Sequence, residues 1–123
     1  MPCPLTVDIR KENPLVVEWD VNIPDDSEVY IIGNPPYRGA KKQTPKQKKD
    51  KEKVFSEYEK CAELDYAASW FLLATKMIER RHSAFSFVTT NSLSQGEQVG
   101  LLWPKLFEHN VYIQFAYRPF KWK

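Results

Sequence analysis

The chain has 123 residues, 42% hydrophobic and 14% aromatic, with nine prolines, two cysteines and a formal net charge of +2. That makes one domain at most, with enough apolar material for a core and too many aromatics for a disordered tail. Cys3 and Cys61 are too few for a disulfide-stapled mini-protein or a cysteine zinc cluster, and no run resembles a secretion signal or spans a bilayer, so a soluble, cytoplasmic chain is expected.

In chain order, Leu5 to Trp19 is a candidate for an additional strand. Val29-Tyr30-Ile31-Ile32 is short, β-branched and continuously apolar, preceded by Asp25-Asp26-Ser27 and stopped by Gly33-Asn34-Pro35-Pro36. This is the profile of a strand buried on both faces. Between Lys41 and Lys53 lie seven lysines against Asp50 and Glu52, so the basicity is a patch and not a property of the whole surface. Without an apolar residue and with Pro45, this stretch is expected to be a solvated loop, either inert charge or a phosphate-attracting arm that Lys41 and Lys42 open.

From Val54 the apolar residues fall at helical spacing through Ile78, in one long or two successive helices, with Asp65 able to cap the second and an end near Arg80-Arg81. Ala84 to Thr89 reads as a strand, Gln98 to Phe107 as a helix that Pro104 kinks or restarts, and Val111 to Tyr117 as a third strand. Trp70, Phe71, Trp103 and Phe107 are expected in the core, and His82 and His109 on the surface without partners. Strands separated by helices mean parallel pairing, hence an α/β sheet. Three strands are few for one, which leaves either the front segment as a fourth or a part of a larger domain.

Asn34-Pro35-Pro36-Tyr37 directly follows the first strand, where an α/β sheet presents its ligand-binding loops. Two prolines fix φ twice and remove two amide donors, so the turn displays acceptors. With the Asn34 side-chain oxygen and the Pro35 carbonyl both facing one point, the loop can accept two hydrogen bonds from one amino group. The exocyclic amine of adenine is a poor nucleophile because its lone pair is delocalised into the ring, and two such acceptors favour the pyramidal, reactive nitrogen. Tyr37 is placed to stack on a base held there. The alternative is an ordinary strand-terminating turn.

With its neighbours, the loop resembles the catalytic domain of amino-methylating, adenine-specific DNA methyltransferases, and more narrowly the MmeI-like restriction–modification proteins, which carry nuclease, methyltransferase and target-recognition regions in one polypeptide. The matching stretches are Ile31 to Tyr37 with Gly39 to Gln43, then Leu64-Asp65-Tyr66, then Thr90 to Val99 with Leu102-Trp103-Pro104, and Phe115 to Trp122. The resemblance implies a partial Rossmann-like, class I methyltransferase sheet that uses S-adenosylmethionine on DNA. Its parts would be an upstream segment over 1–28, the catalytic strand and loop over 29–40, the basic loop over 41–53 and helix–strand–helix–strand over 54–123.

Carried over residue by residue, the resemblance makes Asn34, Pro35, Pro36 and Tyr37 the catalytic loop. It places Glu18, with Asp20 as rival, near the adenine ring of the cofactor. Lys41 and Lys42 go to the nucleic acid. Asn91 and Ser92 line the same crevice or else only shape a turn before a helix whose dipole Glu97 complements. Arg118, Phe120 and Trp122 match a strand end, with Phe120 buried in the intact protein. The glycine-rich cofactor loop of the family has no counterpart among Gly33, Gly39, Gly96 and Gly100. A fragment is therefore expected, poorly soluble and inactive alone, whose partners are DNA and the remainder of the methyltransferase and target-recognition region. Two other readings stay open: a non-catalytic nucleic-acid-binding or complementing module, and a methyltransferase acting on protein or RNA, against which the Asn91–Val99 string argues.

Overall fold

A computed structural model describes residues 7–81 and 83–121. Leu5, His82 and Trp122 therefore lie outside the described residues. The elements run β1 (Tyr30–Gly33), a 3-10 turn (Ala40–Lys42), α1 (Pro45–Val54), α2 (Ala68–Arg81), β2 (Ala84–Phe87), a second 3-10 turn (Asn91–Ser94) and α3 (Glu97–Phe107). β1 and β2 pair in parallel, with Tyr30 opposite Ala84 and Gly33 opposite Phe87. The crossover between them is α1 and α2, as a parallel pair requires.

Helix α2 supplies the core because small and large apolar residues surround it, and Phe55, Leu64, Leu72, Leu102 and Leu106 are almost fully buried against it or its neighbours. Phe71 anchors the sheet, with its ring edge-on to Phe85 at 5.8 Å, Phe87 at 5.2 Å and Trp103 at 5.8 Å. This contact explains a departure from the sequence reading. β1 is covered on one face only, and Tyr30 and Ile32 stand 67% and 81% exposed on the other. Side chains alternate faces along a strand, and α2 lies on one of them.

The basic stretch is not a loop. Thr44 Oγ1 accepts from the Gln47 amide while Gln47 Oε1 accepts from the Thr44 amide, a reciprocal capping box, and Pro45 occupies the first helical position, where its missing N–H costs nothing. Lys51 and Lys53 complement the dipole in the last turn. Helix α1 thus ends at Val54, where the sequence reading had a helix begin, and residues 55–67 form turns.

The segment over 111–117 forms no strand: no neighbouring strand among the described residues offers it a ladder, and Tyr112, Phe115 and Tyr117 are exposed. Residues 7–19 likewise contain turns and no strand. Helix α3 is one element through Pro104 and does not restart there. It begins after Gly96, whose φ of +60° is the left-handed region that glycine enters without strain. Trp103 is half-buried and Phe107 is 47% exposed, so of the four expected core aromatics Trp70 and Phe71 are the buried ones. His109 has partners: its Nε2 meets the Tyr58 hydroxyl at 2.7 Å and its Nδ1 meets Glu79 Oε2 at 2.6 Å. No helix among the described residues is long and apolar enough to cross a membrane.

Candidate active site

Parallel pairing sends both strands out of the sheet at the same edge. The ladder continues one step past β2, where the Val88 amide donates to the Gly33 carbonyl at 3.0 Å. The loop Asn34–Tyr37 and the segment Thr89–Ser92 therefore leave side by side. In the first loop Pro35 is buried while Asn34, Pro36 and Tyr37 are exposed. A buried proline pins the turn, and the amide and the phenol on either side stay open to a ligand. In the second, the hydroxyls of Thr90 and Ser92 share a hydrogen bond at 2.8 Å, and Asn91 opens the 3-10 turn with its side chain exposed. Asn34 and Tyr37 thus follow the carboxyl end of β1, and Asn91 and Ser92 follow that of β2.

The exit of the Asn34–Tyr37 loop is fixed by residues that sequence reasoning assigned to other work or to none. The Arg38 amide donates to Asp65 Oδ1 at 3.1 Å, and the Arg38 carbonyl accepts from the Tyr66 amide and from Gln43 Nε2, each at 2.9 Å. The same Asp65 oxygen accepts from the Ala67 amide at 2.9 Å, one residue before α2, which is the capping role expected of it. The 63–66 segment is itself held. Gln98 Oε1 accepts from the Asp65 amide, Gln98 Nε2 donates to the Glu63 carbonyl, and both Gln43 Nε2 and Lys51 Nζ donate to the Leu64 carbonyl. Lys51 is 1% exposed. Burial lowers its ammonium pKa, opposed by Cys61, Asp65, Glu63 and Glu52 around it.

Lys41 and Lys42 follow in the exposed 3-10 turn, three and four residues beyond Arg38. Lys46, Lys48 and Lys49 extend the positive surface along α1.

The two acids expected near the cofactor are placed apart from this edge or left open. Asp20 Oδ2 accepts from Arg81 Nε at 3.2 Å and Arg80 at 3.4 Å, at the C-terminal end of α2, just before β2 begins. That is the opposite end of the strands from Asn34. Desolvation raises the Asp20 carboxyl, but the hydrogen bonds from Arg81 and Arg80 outweigh it and hold the group below the ordinary carboxylate range. Asp20 therefore takes part in an ion pair away from the Asn34 end of the strands. Glu18 is exposed. Neither the cleft between Lys60, Glu63, Glu97 and Leu101 nor that between Leu15, Asp50, Val54 and Leu73 borders the Asn34–Tyr37 loop.

Comparison with known proteins agrees with this arrangement. A family described as MmeI, DNA-methyltransferase domain, matches residues 1–123. DNA methyltransferase A of Bacillus subtilis (strain 168) is 41% identical over 124 residues, covering 99% of this chain and 14% of that protein. The solved structure of the type IIL restriction–modification enzyme MmeI in complex with DNA superposes with a TM-score of 0.82 at 40% identity, covering 89% of this chain and 15% of the MmeI chain. The chain thus spans about a seventh of the length of these relatives.

Proposed function

The chain belongs to the MmeI DNA-methyltransferase domain family, and from that premise we propose that its Asn34–Tyr37 loop is the amino-group acceptor of a DNA adenine methyltransferase. The observation that carries this reading is the common edge: Asn34 and Tyr37, exposed on either side of a proline pair, follow the carboxyl end of one strand, and Asn91 and Ser92 follow that of its parallel partner. Asn34 Oδ1 and the Pro35 carbonyl accept the two amino hydrogens of a base turned out of the duplex. This draws the nitrogen lone pair out of conjugation, and Tyr37 stacks on the ring. Lys41 and Lys42 attract the flanking phosphates. S-adenosylmethionine is the methyl donor this reading requires, and the bulk of its site belongs to regions the relatives carry beyond the matched seventh, together with target recognition. DNA as substrate places the protein in the cytoplasm as one component of a restriction–modification system.

The test is a chimera in which these 123 residues replace the matching segment of the Bacillus subtilis relative, assayed with labelled S-adenosylmethionine and DNA. Label is expected in N6-methyladenine, and Asn34→Ala is expected to lower the rate by about 10²-fold or more, the scale of losing one preorganised hydrogen-bonding group. An inactive chimera, label on cytosine, or an Asn34→Ala chimera as fast as its parent each overturns the reading.

A further inference from the structure

We propose that Asp65 is a positioning residue for the acceptor loop, acting through the Arg38 peptide; the role rests on the reading of Asn34–Tyr37 given above. A loop that must present two acceptors to one nitrogen needs both of its ends fixed, because a misplacement of about 1 Å costs on the order of 10²-fold in rate. The upstream end is fixed by the ladder bond to Gly33 and by buried Pro35. The downstream end begins at Arg38, the residue after Tyr37, and both backbone groups of Arg38 are taken: the N–H by Asp65 Oδ1, the carbonyl by the Tyr66 amide and Gln43 Nε2. Only Pro36 and Tyr37 stand between the two anchors.

Asp65 has the attributes of a clamp. It is 5% exposed, so its oxygen competes little with water for the two amides it holds. A carboxylate accepting from backbone N–H makes a charge-assisted bond, stronger than a neutral one. Its own N–H is tied to α3 through Gln98, its carbonyl accepts from the Ala68 amide of α2, and the preceding carbonyl is tied to α1 through Lys51, so three helices determine where the Arg38 amide sits. A residue that served only to start α2 needs the Ala67 bond alone. The Arg38 bond spans 27 residues and adds nothing to the helix. Asp65 touches neither base nor donor in this account, and its effect on chemistry is entirely through the direction of Tyr37 and the Pro35–Pro36 backbone.

The experiment compares Asp65→Ala and Asp65→Asn in the same chimera, reading kcat, the KM for S-adenosylmethionine and the fluorescence of 2-aminopurine at the target base. In the 123-residue chain itself, hydrogen exchange of the Arg38 amide is followed in parallel. Asp65→Ala is expected to lower kcat at saturating DNA by 10-fold to about 10²-fold with the KM for the donor unchanged, to weaken the 2-aminopurine response and to speed Arg38 exchange. Asp65→Asn, which keeps an acceptor at Oδ1, is expected to restore most of the rate. A purely structural role lowers the melting temperature of both variants and leaves kcat of the folded enzyme alone; that outcome overturns the proposal, as does Arg38 exchange at the parent rate. Should Asp65→Ala not fold, Gln43→Met removes the side-chain donor to the Arg38 carbonyl from the other side. A fall in kcat supports the clamp and an unchanged kcat overturns it. If Asn34→Ala is silent, the function reading fails; if Asn34→Ala is inactive and the Asp65 and Gln43 variants are silent, only this inference fails.

Discussion

The Val88 amide donates to the Gly33 carbonyl at 3.0 Å, one residue beyond the last paired position of β2, and this bond sets the separation of the two loops at the sheet edge. Val88→Pro deletes the donor while keeping an extended backbone that Phe87 already has. Gly33 is an exposed residue whose carbonyl finds water in the variant, so the expected stability loss is only about 1 kcal/mol. Methyl transfer in the chimera is expected to fall by more than that loss explains, because the segment Thr89–Ser92 is no longer tied to the end of β1. Urea titration beside a rate measurement separates the two effects; a variant with parental rate shows that the loops are positioned independently.

Residues whose local signals agree were legible in the sequence. Gly33-Asn34-Pro35-Pro36 after a β-branched run marks a strand end, and the apolar spacing that ends near Arg80-Arg81 and that over Gln98 to Phe107 mark the helices found at Ala68–Arg81 and Glu97–Phe107. The misreadings have physical reasons. The Lys41–Lys53 stretch has no apolar face, and its helix depends on a Thr44/Gln47 box and a proline at the first position, signals that charge composition hides. Val111 to Tyr117 has β propensity, but a strand needs a partner and none is at hand among the described residues. The Asp65–Arg38 clamp and the contacts of Gln43 and Gln98 join residues far apart in the chain. Only Asp65 carried a signal, as a helix cap, and the cap is half of what it does.

Asp20 gives a pH-dependent stability whose sign is fixed. Its folded carboxyl titrates below the ordinary value of 3.8, since the Arg81 and Arg80 hydrogen bonds outweigh desolvation. The contribution is therefore fully present above the unfolded value and is lost as pH falls through the folded one. Arg81 is 6% exposed at its side chain and also donates to the Ile23 and Pro24 carbonyls, so it stays in place when Asp20 is neutral. Asp20→Asn is expected to melt below the parent at neutral pH, with the difference closing below about pH 4. A difference that persists unchanged into acid would assign the effect to packing instead of charge.

Lys51 runs the other way. Its folded pKa lies below the usual 10.5 because burial opposes the ammonium more than the surrounding acids and Cys61 support it. The unfolded chain then binds more protons in the window just under 10.5, so stability rises with pH there. Lys51 Nζ donates to the Ala62 carbonyl at 2.9 Å and to the Leu64 carbonyl at 2.8 Å. Lys51→Met keeps the chain length and deletes both bonds, and a loss of about 1–3 kcal/mol is expected in urea. The alkaline rise should disappear with it; its survival in the variant would trace the rise to other groups.

The positive surface is tested by salt. Lys41 and Lys42 are exposed and follow the loop exit by three and four residues, whereas Lys51 is sealed in the hydrogen-bonded hub, so the seven lysines of the stretch are not equivalent. Each lysine that neutralises a phosphate releases counterion and contributes about 0.9 to the slope of log affinity against log salt. Lys41→Gln with Lys42→Gln is therefore expected to weaken DNA binding by the chimera at every sequence and to reduce the slope by about 2. The methylated base should not change, because these side chains meet the backbone and not base edges. Lys46→Gln with Lys48→Gln on α1, farther along the chain from the loop, provides the contrast: an equal loss there would mean that the whole helix lies along the duplex. An unchanged slope in the first pair removes the turn Ala40–Lys42 from the DNA path, leaving Asn34–Tyr37 to be reached from the Asn91 side of the edge.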